Sequence, residues 1–295
     1  MQTYGFRYVG TLNVLHYFMT VVLLEFLAYV RKQESGNMPA VERTMVGAMS
    51  VVSVQLQNTS LSLNSVGSYQ LAKMLVIPAS MLLERCVNGI SRKYTTKVVF
   101  GLATMSLGVV VSGVHDVQLK PLGCFVALSA TFITAQFQIW QGSKQQQFSI
   151  NAMQLSRAFS LPQLLVGIVV AVPFDVIYGD LLSYKPSFGF AVAMTLSCIA
   201  AVGVQVTSTG LIGKTSPVTY QVVGQVKMVA TVVGGYIWFD AEHPAMALLG
   251  KLVGFVLAVT GASLYANQRL VASGQANDWL ACFDGKPSED DELPR

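Results

Sequence analysis

Long apolar segments separated by short polar connections dominate the chain. About 20 consecutive apolar residues are enough for a helix to cross a bilayer, and the pattern predicts nine such spans. The predicted spans cover residues 9–30, 45–63, 66–86, 98–114, 121–140, 155–178, 188–211, 217–239 and 244–266. The connections leave no room for a soluble domain, so we expect an all-α membrane protein.

Composition supports this class. Of the 295 residues, 53% are hydrophobic and 12% are charged, whereas soluble domains carry about 25% charged residues. The net charge of +4 is small, and no basic stripe with interleaved aromatic residues predicts a nucleic-acid partner. The four cysteines lack metal-ligand spacing. The lipid bilayer is therefore the expected environment, and we expect neither a metal ion nor a cofactor.

Basic residues are distributed unevenly between the two sides that alternating spans define. Ten lie on one side and three on the other, and an excess of lysine and arginine marks the cytosolic side. The ten are Arg31, Lys32, Arg43, Arg85, Arg92, Lys93, Lys97, Lys144, Lys214 and Arg269, and the three are Arg7, Lys120 and Lys185. The bias predicts a cytosolic C-terminus, where we expect residues 271–295 to form a disordered acidic tail.

Two parts of the chain resemble each other. Each has a Tyr-Gln pair, then a lysine, then a span with two glycines seven residues apart. The first set is Tyr69, Gln70, Lys73, Gly101 and Gly108, and the second is Tyr220, Gln221, Lys227, Gly254 and Gly261. The copies begin five spans apart and must be inverted in the membrane, as in many secondary transporters.

The repeat predicts a domain organisation. Residues 1–115 form the N-terminal half and residues 116–270 form the C-terminal half. Two complete halves need ten spans, so we expect the N-terminal half to lack its first helix, which would precede residue 1.

Lys227 is the leading candidate for chemistry. It falls about eleven residues into the span that begins at Pro217, near the bilayer midplane. A lysine there costs at least about 2.5–3.5 kcal/mol, so it must face protein, water or an anion. Lys73 has the matching position in the inverted copy, and two ammonium groups suit a phosphate or diphosphate. Alternatively, each lysine snorkels to the interface or pairs with Glu25 or Glu84.

Polar and small residues near these lysines complete the candidate site. Tyrosine rings and glutamine amides could hold a base or ribose, or could instead form hydrogen bonds between helices. The predicted substrate-binding residues are Lys227, Lys73, Tyr220, Tyr69, Gln221, Gln70, Gly224 and Asn64. Asn64 flanks the expected luminal entrance, but it could simply cap a helix. No catalytic constellation is present in the sequence, so we do not expect an enzyme.

Other residues have expected structural roles. Gly101, Gly108, Gly250, Gly254 and Gly261 are expected to pack helices closely, with Gly250 and Gly254 forming a G-x-x-x-G. Prolines at positions 78 and 162 are expected to kink their spans. Arg157 is expected to anchor its span at the membrane interface.

At these residues the sequence resembles the triose-phosphate translocator and nucleotide-sugar transporter group of the drug/metabolite transporter superfamily. Segments 64–73 and 114–117 resemble plant UDP-rhamnose/UDP-galactose transporters. Segments 213–227 and 236–240 are similar to those and to solute carrier family 35 member E3. The motifs indicate the family and not one particular sugar.

The resemblance implies an antiporter of the Golgi or endoplasmic reticulum membrane, with ten helices in two inverted halves. It would import a nucleotide sugar into the lumen and export the nucleoside monophosphate. Plastid phosphate exchangers of the group carry Lys-Arg where Lys227 and Met228 stand here, and the Gly-Ala-Leu-Asn-Lys motif of GDP-sugar transporters is absent from the sequence. We therefore expect a UDP-sugar, with UDP-galactose as the default, exchanged for UMP.

Other hypotheses stay open at this point. The chain could exchange small phosphorylated metabolites, or it could be a membrane scaffold or regulator that does not transport. The helix expected before residue 1 would be missing from a truncated gene model or from a defective form. The oligomeric state is also open, and a homodimer is one of the states that the sequence allows.

Overall fold

A computed structural model describes residues 6, 8–34, 36–90, 94–113, 120–177, 179, 181–184, 186–238, 245–272 and 278–280. These residues form ten α-helices and one short 3-10 turn, and no strand occurs among them. The helices are α1 Val9–Val30, α2 Ala40–Leu63, α3 Val66–Met74, α4 Val76–Cys86, α5 Thr96–Gly113, α6 Pro121–Gln147, α7 Ala152–Ile177, α8 Phe188–Lys214, α9 Pro217–Trp238 and α10 Ala245–Ala272.

Each predicted span corresponds to helical structure, and the third is divided into α3 and α4. Four of the described helices, α1, α6, α7 and α8, are long and apolar enough to cross a membrane. The protein is therefore a helical membrane protein, while the number of crossings stays a prediction. The segment 114–117, part of the segment 236–240 and most of the tail lie outside the described residues.

Pro78 explains the break between α3 and α4. Proline has no amide hydrogen, so Pro78 cannot donate to the carbonyl of Met74. The Leu75 amide bonds to the Ala72 carbonyl at 3.1 Å, and the next helix starts as the Ala79 amide donates to the Leu75 carbonyl at 3.0 Å. The prediction that Pro78 distorts its span is confirmed.

By their internal contacts the residues fall into two compact units. The first contains residues 1–89 and 118–221, and the second contains residues 90–117 and 222–295. The first unit thus holds α1 to α4, α6 to α8 and the start of α9, and the second holds α5, the rest of α9 and α10. The predicted halves, residues 1–115 and 116–270, were defined by sequence similarity and not by contacts. They therefore stay a prediction.

Two polar contacts fix the register of α1 against α7 in the first unit. Near the start of α1, the amide and hydroxyl of Thr11 donate to Asp175 Oδ2 at 2.6 and 2.8 Å. Near its end, Nε and Nη2 of Arg157 lie 2.8 and 2.6 Å from the two carboxylate oxygens of Glu25. The two helices are therefore antiparallel. Arg157, expected to be an interfacial anchor, also joins two helices.

Glycines let α5 and α10 pack closely in the second unit. A Cβ on Gly108 would lie 2.6 Å from the carbonyl oxygen of Gly254, and one on Gly261 would lie 2.6 Å from that of Gly101. Real Cβ atoms essentially never come within 3.0 Å of such atoms, so side chains are excluded. The prediction that these glycines are packing positions is confirmed.

These glycine contacts have the symmetry of the sequence repeat. The offset between copies is 254 − 101 = 153, and also 261 − 108 = 153. When each residue is replaced by its equivalent in the other copy, Gly101 becomes Gly254 and Gly261 becomes Gly108. The contact between Gly101 and Gly261 therefore becomes the contact between Gly254 and Gly108. Such mutual exchange is the signature of a two-fold axis, and an inverted repeat predicts one.

A short segment after α10 is held in the second unit. The Lys97 ammonium lies 2.6 Å from Asp278 Oδ2, and the Trp279 amide donates to Asn267 Oδ1 at 3.0 Å. Leu280, next along the chain, is buried. Three residues of the predicted tail therefore pack against the helices.

The glycine packing gives a first testable prediction. Gly261→Leu should lower the free energy of unfolding by about 1–3 kcal/mol or more, because its side chain would push α5 and α10 apart. The matched control is Gly203→Leu on α8, where a Cβ would meet nothing within 4 Å among the described residues. Thermal unfolding of the purified protein in detergent should show a lower midpoint for the first variant alone. Equal midpoints would contradict this account of the packing.

The Lys97 ammonium gives a second prediction, because it holds the pKa of the Asp278 carboxyl below its ordinary value. The stabilisation by this pair is complete above the ordinary pKa of about 3.9 and is lost as the pH falls through the lowered one. Trp279 fluorescence, measured in a variant with Trp140 and Trp238 replaced by phenylalanine, should be constant from about pH 7 to 5 and change below about pH 4. Asp278→Asn should remove this transition, and its persistence would contradict the assignment.

Candidate functional site

A stripe of buried polar side chains runs along α6. Its members recur every three or four residues, which is the spacing of one helix face. They are Thr131, Thr134, Gln138, Gln141 and Gln145, and none is more than 9% exposed. Inside a membrane protein such groups must find hydrogen-bond partners within the protein. The α6 stripe should therefore bind neighbouring helices.

The first part of the α6 stripe bonds to α2 and α3. The Thr131 hydroxyl lies 3.1 Å from the Ala72 carbonyl of α3 and 2.8 Å from the Ala127 carbonyl of its own helix. The Thr134 hydroxyl lies 2.8 Å from Ser53 Oγ and accepts from Gln57 Nε2 at 3.0 Å. The helix that carries Lys73 is thereby tied to α6 one residue before that lysine.

The second part of the α6 stripe bonds to α8 and to the start of α9. Gln221 Nε2 donates to Gln138 Oε1 at 2.9 Å. Gln141 donates to the Thr209 hydroxyl at 3.1 Å, and Gln145 donates to the Thr209 carbonyl at 2.9 Å. Gln221 therefore forms a hydrogen bond between helices, which was the alternative to its predicted contact with substrate. This bond positions the start of α9.

Residues of α9 that the sequence predicts for the site lie on two adjacent faces. Gln221 is buried, whereas Tyr220, Gly224 and Lys227 follow at intervals of four and three residues along another face. Tyr220 is half-buried and its hydroxyl accepts from Ser208 Oγ at 3.4 Å. A Cβ on Gly224 would meet nothing within 4 Å in the part of the chain that the structure describes, and Lys227 is exposed. This second face is therefore half-buried to exposed among the described residues.

Lys73 is exposed in the last turn of α3, directly before the helix break. Its Nζ lies 5.5 Å from the centroid of the Tyr69 ring, which is a cation–π distance. A cation is also favoured at the C-terminal end of a helix. Gln70 lies on the same helix. Lys73 and Tyr69 are therefore neighbours, as their spacing in the sequence indicated. Their contact with a substrate stays a prediction.

Asn64 has a structural role, which was the alternative considered for it. It caps the end of α2, and its amide nitrogen donates to the carbonyls of Ser60 at 2.9 Å and Gly123 at 3.0 Å. These bonds tie the end of α2 to the start of α6. A direct contact between Asn64 and substrate stays a prediction.

The two lysines belong to different units, Lys73 to the first and Lys227 to the second. Their convergence on one cavity therefore stays a prediction. Of the two carboxylates considered as lysine partners, Glu25 is held by Arg157, and Glu84 is buried in α4.

Sequence reasoning missed the α6 stripe and the ion pair between Arg157 and Glu25. The stripe left a signal in the recurrence of threonine and glutamine every three or four residues within an apolar span. The ion pair left none, because its residues are 132 positions apart.

Comparison with known proteins shows relatives along nearly the whole chain, although no family model matches it. The chain is 32% identical to UDP-xylose transporter 3 of Arabidopsis thaliana over 274 residues, which cover 90% of this chain and 73% of the relative. It is 33% identical to UDP-xylose transporter 1 of the same plant, over 92% of this chain and 79% of the relative. It is 29% identical to UDP-rhamnose/UDP-galactose transporter 2 of that plant, over 89% of this chain and 74% of the relative.

The hydrogen bond between Gln138 and Gln221 gives a prediction. Gln138→Leu and Gln221→Leu should each destabilise the protein by about 1–3 kcal/mol, because each leaves a buried amide without its partner. The double variant should lose less than the sum, by about 0.6 kcal/mol and at most about 1.7 kcal/mol. The measurement is the free energy of unfolding in detergent. As a control, Gln138→Leu is combined with Thr207→Ala, because the exposed Thr207 hydroxyl bonds within its own helix. The two losses of unfolding free energy should be additive in this control. Additive losses for Gln138→Leu and Gln221→Leu would refute the coupling.

Proposed function

The chain belongs to the nucleotide-sugar transporter family, as its motifs predicted, and we propose that it exchanges a UDP-sugar for UMP by alternating access. The observation that carries this proposal is the 32% identity to a named UDP-sugar transporter over 90% of the chain. We place it in the Golgi membrane, with the endoplasmic reticulum as the alternative, and with its C-terminus in the cytosol.

The relatives differ in the sugar and share the UDP portion of their named substrates. UDP recognition is therefore the firmest part of the proposal, and UMP is the counter-substrate that the same recognition would accept. The sequence favoured UDP-galactose. The two UDP-xylose transporters compared above are 32% and 33% identical to the chain, so UDP-xylose joins UDP-galactose as a candidate cargo.

Lys227 and Lys73 are proposed to bind the diphosphate, because an ammonium group is a strong point charge for phosphate oxygens. Tyr220 and Tyr69 lie on the lysine-bearing faces of their helices, where their rings and hydroxyls would contact the base or ribose. Gly224 leaves the surface between Tyr220 and Lys227 open. The exposure of Lys227 supports this assignment, because the described side chains do not enclose its ammonium group.

Alternating access is supported by two features of the helices. The break between α3 and α4 follows Lys73, and transporters of inverted-repeat architecture place binding residues at discontinuous helices. The contacts between α5 and α10 have the two-fold symmetry that an inverted repeat requires. We propose ten helices in two inverted halves, with each half contributing one lysine.

The experiment is uptake by liposomes that contain the purified protein and UMP. Labelled UDP-xylose and UDP-galactose should enter in a saturable manner only when UMP is inside. If inorganic phosphate or phosphoenolpyruvate inhibits better than UMP, the protein exchanges small phosphorylated metabolites. If no nucleotide raises the unfolding temperature and no exchange occurs, the scaffold hypothesis is favoured.

Lys227→Ala gives the prediction for the site. Exchange should fall by roughly 10- to 100-fold, because a charged hydrogen bond to phosphate contributes about 1.5–3 kcal/mol. Lys214→Ala is the matched control, since it removes an exposed lysine at the end of α8, and it should leave exchange within about twofold. Initial rates at low UDP-sugar concentration are the measurement. Saturable exchange that Lys227→Ala leaves unchanged would show that the lysine assignment is wrong.

A further inference from the structure

Two cavities meet at the ion pair between Arg157 and Glu25, where α1 ends and α2 and α7 begin. The smaller has a volume of about 280 Å³ and is lined by residues that include Glu25, Arg43, Thr44, Gln154, Arg157 and Pro162. The larger has a volume of about 600 Å³ and is lined by residues that include Glu25, Tyr29, Lys32, Gln33 and Arg157. All of these residues belong to the first unit.

The guanidinium of Arg43, which lines the smaller cavity, is oriented by one hydrogen bond and can still bind an anion. Arg43 Nε donates to the Met38 carbonyl at 2.6 Å, and its terminal nitrogens have no hydrogen-bond partner among the described residues. Arg157 is instead held by Glu25 and by the Gln33 carbonyl, 3.4 Å from its Nη1. A guanidinium fixed at Nε presents its two terminal nitrogens as a fork, which matches two oxygens of a phosphate.

The charge at this end of the first unit favours an anion. Arg43, Arg157 and Lys32 line the two cavities, against the single carboxylate of Glu25. The N-terminal ends of α2 and α7 and the C-terminal end of α1 also lie here, so two partial positive helix charges are present against one partial negative charge.

The surroundings of the cavities indicate a lipid as the source of that anion. Tyr29 is 84% exposed and Val41 is 70% exposed, and an exposed aromatic and an exposed aliphatic side chain at the ends of membrane helices suit contact with lipid at the interface. The positive-inside bias predicts that this end is cytosolic, and anionic lipids are concentrated in the cytosolic leaflet. The cavity of about 280 Å³ lies at the small end of ligand pockets, which suits a headgroup.

We propose that the cavity between α1, α2 and α7 binds the phosphate headgroup of an anionic phospholipid, with Arg43 as the principal ligand and Arg157 as the second charge. This site goes beyond the proposed transport function. Asn64, the candidate substrate residue on α2, lies at the opposite end of that helix, which is roughly 36 Å long at 1.5 Å per residue.

The test is native mass spectrometry of the detergent-purified protein with added phosphatidylinositol, phosphatidylserine or phosphatidylcholine. The two anionic lipids should bind more tightly than phosphatidylcholine. Arg43→Gln should weaken their binding by roughly tenfold, because it removes a charged donor to phosphate. Arg31→Gln is the matched control, because it removes the same charge at the same end of the first unit from a residue that is exposed and lines neither cavity.

Glu25→Gln provides a second variant with the opposite expectation. It frees the guanidinium of Arg157, so binding of anionic lipid should become tighter. The proposal is overturned if Arg31→Gln weakens binding as much as Arg43→Gln, if neither Arg43→Gln nor Glu25→Gln changes it, or if phosphatidylcholine binds equally well. Displacement of the lipid by inorganic phosphate at the same concentration would also overturn it, because the site would then be one for a free anion.

Discussion

The α6 stripe is the interaction on which the rest of the first unit depends. Apolar helices inside a membrane have little to select one alignment, because lipid is as apolar as a neighbouring helix. A buried amide or hydroxyl, by contrast, must meet a partner within the protein. Each such bond adds little stability, about 0.6 kcal/mol on average, but together the bonds specify one alignment of α2, α3, α8 and the start of α9, up to Gln221, around α6. The α6 stripe therefore supplies specificity more than strength.

Two physical means bring the described helices together. The α6 stripe and the ion pair between Arg157 and Glu25 use polar groups to determine which helices meet. The second means brings α5 and α10 together by removing side chains, and close backbone contact replaces polar recognition. Both means depend on the apolar environment. There, a buried polar group needs a partner within the protein, and small residues let two helices approach closely.

The sequence predicted the helices well, because a run of apolar residues is itself the condition for crossing a membrane. It also predicted the glycine contacts, since the repeat showed which positions correspond. It did not predict that α6 continues to Gln147, because the last turns are polar and hydropathy alone ends the helix early. It could identify Lys73 and Lys227 from their position in apolar segments, but the partners of Gln138 or Arg157 depend on tertiary packing, which a local pattern does not contain.

The seam of α5 and α10 has a mechanical consequence. At Gly101, Gly108, Gly254 and Gly261 backbone meets backbone, while the buried side chains of Met105 and Tyr265 lie along the same two helices. Packed helices usually move by small shear displacements that keep their interdigitated side chains in place. Any displacement of α5 along α10 must therefore be small, because the two backbones are already in contact and the two-fold symmetry repeats that contact in both copies of the repeat.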